Sequence, residues 1–289
     1  MAGRQTKGDE SVGGGVTNRF PVELHDGVRG FMFDIDGTLA HRGADGRAHA
    51  QPGAVEVLDR IRASGRRLVL FTNASHIASA TVAKGLRDDG IPVSDEELLT
   101  PIDSATSYLL RNHRGEPVQL FATEAVHEYM SAAGVPVTRD DDAKVVFVAH
   151  LRQVDLDEVE RAARAIERGA PLLTSSYVRG YAGSHGMILS RGAMITAAIA
   201  KAGGVRPRIV GKPSRAAVVE LTRRLRVPAR EIVVIGDDAR MDVALGKLGG
   251  SRTILVRSGI SGDVQIDTLP KGQRPDAAIS AVAELLEHL

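Results

Sequence analysis

Short runs of contiguous apolar, largely β-branched residues recur along the chain: "VRGFMF" (28–33), "RLVLF" (67–71), "EIVVI" (231–235) and "RTILV" (252–256). They do not alternate with polar residues, which is the pattern of strands covered on both faces. Between them the apolar positions move to helical spacing. "PGAVEVLDRIRASG" (52–65) puts Ala54, Leu58 and Ile61 on one face, with Pro52 to start a helix and Gly65 to end it. "SRAAVVELTRRL" (214–225) begins at a Ser214 cap and repeats Val218, Leu221 and Leu225 on one stripe. "DAAISAVAELLEHL" (276–289) spaces Ile279, Val282, Leu286 and Leu289 similarly and reads as a closing helix. Alternation of this kind predicts an α/β fold, a doubly wound parallel sheet sandwiched by helices.

The middle of the chain repeats the style. "PVQLFAT" (117–123), "KVVFVAH" (144–150) and "PLLTS" (171–175) read as strands, with helices near 124–133 and 155–168 between them. Core-like strands stand both before and after this segment, so it is expected to be an inserted α/β unit over 115–206, within a core of 19–114 and 207–289. The first residues, "MAGRQTKGDESVGGGVTNRF", lack the apolar centre of a signal peptide, and 1–18 read as a disordered leader.

Composition narrows the partners. Lys+Arg 37 against Asp+Glu 36 gives a net charge of +1, and aromatic residues are 3% of the chain. Neither a basic footprint nor stacking platforms for nucleic acid are present in such a balance. No apolar run reaches the ~18 residues of a membrane-spanning helix. The chain has no cysteine, which excludes disulfides and thiolate metal sites and suits a reducing cytoplasm.

The chemistry gathers at strand ends, where open α/β sheets bind their ligands. Asp34 and Asp36 follow the first apolar run, Thr72 and Asn73 follow "RLVLF", Lys212 follows "RIV", and Asp237 and Asp238 follow "EIVVI". These types suit phosphoryl transfer. A carboxylate such as Asp34 can attack phosphorus and form an aspartyl phosphate. Attack of an anion on a dianion needs a neutralising cation, and Mg²⁺ fits, held by the carboxylates of Asp34 and Asp237 and a backbone carbonyl at Asp36. Lys212 balances the remaining charge, and the Thr72 hydroxyl with nearby N–H groups holds phosphoryl oxygens. Asp36 is placed to give a proton to the leaving alkoxide and to take one from attacking water. Singly, each motif also reads as ordinary structure: a turn, a helix cap, a solvated lysine, an acidic loop. Four of them in this order, each at a strand end, favour the chemistry.

The stretches "DIDGT" (34–38), "TNAS" (72–75), "GKPS" (211–214) and "GDDARMD" (236–242) resemble the four motifs of the haloacid dehalogenase superfamily. The resemblance spans about 28–289 and implies a Rossmann-like core. It implies Asp34 as nucleophile, Asp36 as acid/base, Thr72 and Lys212 as phosphate ligands and Asp237 as metal ligand. Asp242 matches the later aspartate that orders the site, and Asp238 is implied to hold a metal-bound water. An insertion between the second and third motifs resembles class IIA, with its large α/β cap. Within it the chain looks like the branch of 4-nitrophenylphosphatases and phospholysine phosphohistidine inorganic pyrophosphate phosphatases. That branch implies Mg²⁺, a small phosphorylated metabolite as substrate, and a homodimer formed through the cap. Inorganic pyrophosphate or a phosphoamide is the alternative substrate, and a non-catalytic binding or regulatory protein the alternative class.

Two stretches depart from the branch. Ala74 stands where the second motif usually has a second Asn, and "TSSYVRGYAGSHG" (174–186) replaces the usual cap loop. Tyr177, Arg179, Tyr181 and His185 in that loop are candidate selectors, with Arg179 suited to a substrate carboxylate or second phosphate. "AHRGADGRAHA" (40–50), with Asp45-Gly46 at its tip, reads as a hairpin flap whose His41 and His49 could line the entrance.

Overall fold

The structure, a computed structural model, describes Leu24 and residues 27–183 and 186–289, with the side chains of 182, 183, 186 and 187 left aside. The expected leader (1–18) and His185 lie outside the described residues. The chain begins with β1 (Gly30–Phe33), a hairpin of β2 (Ala40–Arg42) and β3 (Ala48–Ala50), α1 (Ala54–Ala63), β4 (Arg67–Phe71), α2 (Ser79–Asp88), β5 (Leu98–Leu99) and α3 (Pro101–Asn112). A second run follows: β6 (Val118–Phe121), α4 (Glu124–Ala132), β7 (Val137–Thr138), β8 (Val145–Val148), α5 (Leu156–Glu167) and β9 (Leu172–Thr174). It continues through the hairpin of β10 (Gly180–Gly183) and β11 (Gly186–Leu189), then α6 (Arg191–Ala202) and β12 (Arg208–Ile209). The last part is α7 (Arg215–Leu225), β13 (Ile232–Gly236), a π-helical turn (Ala239–Val243), α8 (Ala244–Gly249), β14 (Arg252–Val256) and β15 (Ala277–Ile279).

Six parallel strands form the main sheet in the order β15-β14-β13-β1-β4-β5. Their unbroken apolar sequence has a direct cause. Side chains alternate across the sheet, so Phe31, Phe33, Val233 and Ile235 enter one buried cluster while Met32, Val69, Phe71 and Val234 enter another. α1 and α2 cover the first face with Leu58, Ile61 and Ala83, and α7 covers the second with Leu221 and Leu225. α7 starts as its sequence predicts, with Ser214 Oγ accepting from Ala217 N at 3.0 Å.

A second parallel sheet, ordered β12-β9-β8-β6-β7, forms the inserted unit. α5 and α6 pack on one face through Ala162, Ile166, Ile195 and Ile199. On the other, α4 is joined by Ile102 and Leu109 of α3 and by Ala216 of α7, so both connecting segments share its core. The α/β class with a doubly wound core and an inserted α/β unit is therefore the observed architecture.

The expected closing helix is a correction. Ala277–Ile279 is instead an edge strand, in register with Ile254–Val256 of β14, and only a 3₁₀ turn over Val282–Glu287 follows. Asp276 fixes the strand's start, its Oδ2 accepting from Thr253 N at 2.8 Å and Thr253 Oγ1 at 2.9 Å. Segment 174–186, read as a loop, runs into the hairpin of β10 and β11.

Candidate active site

The main sheet runs outward from its middle: β1, β4 and β5 go one way, β13, β14 and β15 the other. The crevice at that reversal, beyond the carboxyl ends of β1 and β13, is where such sheets bind ligands. Phe33 and Ile235 pair across it, and Asp34 N donates to Ile235 O at 2.8 Å. Asp34 and Asp237 leave the sheet here, and the π-helical turn that follows β13 brings Asp242 back to them. One carboxylate oxygen from each of the three lies within 4.8 Å of the others, and all three residues are buried.

Lys212 closes the cluster from the far side of the insertion. Its Nζ donates to Asp34 Oδ1 at 2.7 Å, Asp242 Oδ1 at 2.8 Å and Phe71 O at 2.6 Å. Three donors and three acceptors satisfy the ammonium completely, at 1% exposure. Asp237 is held separately, its Oδ2 accepting from Ile260 N at 2.7 Å. Gly37 has φ of 91°, and a Cβ there would stand 2.5 Å from that same oxygen, so this turn accepts glycine alone.

The electrostatics follow from burial. It pushes Asp34 well above the ordinary carboxylate range, and Asp242 upward too, against the pull of Lys212 in both. Asp237 is raised to about 7 by burial and by the neighbouring Asp242 charge. Burial alone would lower Lys212, but Asp242 and Asp34 outweigh it and hold the ammonium charged. Fully ionised, three carboxylates against one ammonium leave surplus negative charge in a buried place. A divalent cation would cancel that surplus, and an all-oxygen donor set suits a hard one. The residues present therefore fit such an ion.

The other expected residues take different positions. Asp36 keeps its backbone beside the cluster, but its side chain is 46% exposed and ion-paired with Arg42 Nε at 3.1 Å. Thr72 is buried directly after β4, its Oγ1 accepting from Ala74 N at 3.2 Å, while Asn73 is exposed. Asp238 caps the π-helical turn through Arg240 N at 2.8 Å and pairs with Arg240, so its carboxylate serves that turn. Tyr177, Arg179 and Tyr181 are exposed on and before the β10–β11 hairpin. The flap is a hairpin as expected, with His41 opposite His49.

Sequence reasoning did not find three contributors. Arg42 follows no motif and acquires its role only when the flap folds back. The Phe71 carbonyl has no side-chain signal. The loop after β14, "RSGISG" (257–262), supplies Ile260 N and a Ser258 Oγ that donates to Gly37 O at 2.7 Å. It is glycine-rich and follows an apolar run, a signal that was present and comparable to the other four.

The haloacid dehalogenase-like hydrolase family matches residues 31–136, and a HAD-hydrolase-like family matches 209–285. The chain is 30% identical over 261 residues to the ribonucleotide monophosphatase NagD of Escherichia coli K12, covering 89% of this chain and 98% of that one. It is 25% identical over 259 residues to an acid sugar phosphatase of Staphylococcus aureus, covering 89% and 98%. A p-nitrophenyl phosphatase structure from Archaeoglobus fulgidus superposes with a TM-score of 0.80 at 25% identity, over 91% of this chain and 99% of that one. The chain belongs to the haloacid dehalogenase-like hydrolases, as a class IIA phosphatase.

Proposed function

We propose that the protein hydrolyses small phosphorylated metabolites through an aspartyl phosphate formed on Asp34. The observation that carries this is the buried Asp34–Asp237–Asp242 cluster clamped by Lys212 at the switch point of the sheet. Lys212 holds Asp34 Oδ1, which leaves Oδ2 to attack phosphorus while the ester P–O bond breaks. Asp36 gives a proton to the leaving oxygen, then takes one from the water that cleaves the acyl phosphate. Thr72, with Asn73, lies beside the Phe71 carbonyl and receives phosphoryl oxygens, and the fixed Lys212 charge opposes their repulsion by Asp34. The Asp34 and Asp237 carboxylates and the Asp36 carbonyl, with Asp242 alongside, would hold Mg²⁺, which would neutralise the phosphoryl charge.

In this reading 115–206 is the cap over a core of 19–114 and 207–289, with β12 (Arg208–Ile209) of the second core segment completing the cap's sheet, and the cap limits substrates to small ones. The absence of cysteine supports a cytoplasmic setting, and among the described residues no helix is long and apolar enough to cross a membrane. Ile188, Leu189 and Met194, exposed on the cap, support a homodimer through it.

The test is phosphate release from a panel of phosphoesters, pyrophosphate and phosphoramidate, with Mg²⁺ and with chelator, for wild type and Asp34→Asn. Metal-dependent release from phosphoesters, abolished by Asp34→Asn, is the expected result. Faster release from pyrophosphate or phosphoramidate changes the substrate class. No metal-dependent release from anything makes the protein a binding protein instead.

A further inference from the structure

The loop after β4 meets the end of β8 at a seam between core and cap, and the seam is basic. The rings of His76 and His150 lie 5.6 Å apart, edge to face. Backbone bonds hold the two sides together: His150 N donates to Ser75 O at 3.3 Å, and Thr123 Oγ1 donates to His76 O at 2.6 Å. His76 belongs to the same loop as Thr72 and Asn73, so the seam borders the crevice. Arg42 reaches toward it from the flap, with its Nε on Asp36. On the cap side Arg152 follows β8, and Arg191 Nη1 donates to the Arg152 carbonyl at 3.3 Å.

The neighbouring charges share one sign. Both imidazoles are held below their ordinary value, first by burial and then by cations alone: Arg42 and Arg152 at His76, and His76, Arg191 and Arg152 at His150. Asp36 answers Arg42, but among the described residues neither Arg152 nor Arg191 has a carboxylate partner. The Arg152 guanidinium and the remaining Nε and Nη2 donors of Arg191, flanked by imidazoles able to donate N–H, make a receptor for a planar or tetrahedral oxyanion.

We propose that this seam is a second anion subsite, so that the phosphoester cleaved at Asp34 carries a further carboxylate or phosphate on its leaving portion. The proposal rests on the phosphatase reading above. It differs from recognition by Arg179 in using Arg152 and Arg191; Arg179 stands at the start of the neighbouring hairpin, its carbonyl accepting from Ser190 N at 3.0 Å. Arg152 and Arg191 bind the distal anion, and His76 and His150 complete its hydrogen bonds. Occupancy of the seam draws cap and core onto the same molecule, so the distal anion also orients the phosphoryl group toward Asp34.

The experiment compares three substrates on one carbon skeleton: propanediol monophosphate, its analogue ending in a carboxylate, and propanediol bisphosphate. Each is assayed with wild type, Arg152→Ala and Arg191→Ala, all checked for unchanged circular dichroism. At least one anionic substrate is expected to exceed the monophosphate in kcat/KM by about tenfold or more, consistent with a charge-assisted pair. Which one does so separates a carboxylate from a phosphate. In each variant that preference falls toward unity. Equal kcat/KM for all three in the wild type, or a preference kept in both variants, overturns the subsite and leaves the phosphatase standing. No release from any of them, or from 4-nitrophenyl phosphate, overturns the phosphatase reading and the subsite with it.

Discussion

Lys212 and the carboxylates of Asp34 and Asp242 form a buried ion triad in which Lys212 and Asp242 are sealed from water and Asp34 alone faces the crevice. Removing one member of such a group strands the others, which costs far more than the triad itself contributes. Lys212→Met is therefore expected to lower unfolding free energy by about 3–5 kcal/mol in urea titration. Phosphate release should fall by at least about 100-fold in the same variant. Stability within about 1 kcal/mol of wild type would refute this account of the triad. His127 behaves oppositely to the raised carboxylates. Burial, helped by Arg139, outweighs Glu124 and Glu158 and holds it below its ordinary value. A group whose folded value is depressed contributes stability above its unfolded value and loses it on acidification. Between about pH 7 and about pH 5 the wild-type denaturation midpoint should thus drop relative to that of His127→Gln, the gap widening toward the acid end, while Asp237 acts in the opposite sense in both proteins. Asp34 and Asp237 were legible because the ends of main-sheet strands place them, whereas Lys212 follows β12, an edge strand of the inserted sheet, and reaches the cluster from there. Where a long side chain turns was not legible. Asp36 points to the rim because Arg42 waits there, and Arg42 is recruited by a hairpin rather than by a motif.

Elements were legible where both faces of a strand are buried, since β1, β4, β13 and β14 need continuous apolar sequence. The strand Ala277–Ile279 was not. Alanine favours helices locally, yet pairing with β14 satisfies a row of backbone groups that would otherwise end the sheet. α3 carried a readable start in "TPID" (100–103) that went unread. Thr100 Oγ1 accepts from Ile102 N at 3.2 Å, and Asp103 Oδ2 accepts from Thr100 N at 2.7 Å. The other oxygen of Asp103 joins three elements, accepting from Ser79 Oγ of α2 at 3.0 Å and from Tyr129 OH of α4 at 2.7 Å. Tyr129→Phe keeps the ring and removes only that donor. Its cost should be about 1–3 kcal/mol, the penalty of a buried carboxylate losing a partner, read as a lower thermal midpoint. A variant as stable as wild type would mean that this tie between α3 and α4 carries no weight.

At the scale of the whole molecule, the main sheet concentrates negative charge at a single point and leaves it to be balanced from outside. Ligand binding to the folded state alone stabilises it by mass action, by about 2.7 kcal/mol at a hundredfold excess over Kd. Mg²⁺ is expected to raise the thermal midpoint of the wild type, and chelator to reverse the shift. Asp237→Asn should lose most of it, because one carboxylate of the cluster is gone. A midpoint indifferent to Mg²⁺ in the wild type would argue against the cation site. The insertion was legible as a second α/β unit, but its sharing of α3 and α7 was not, because residues 102, 109 and 216 carry the same apolar pattern whichever core they enter.

The span between Asp34 and its ammonium has a consequence for the chain as it is made. The two are separated by 178 positions. A ribosome delivers Asp34 early and Lys212 only after the entire insertion has been translated. Until then Asp34, Phe71 O and the empty end of β1 have neither Lys212 nor the β13 neighbour that carries Asp237. An unfinished or truncated chain therefore holds Asp34 without either of the groups that complete its cluster, which assembles only when the last strands arrive.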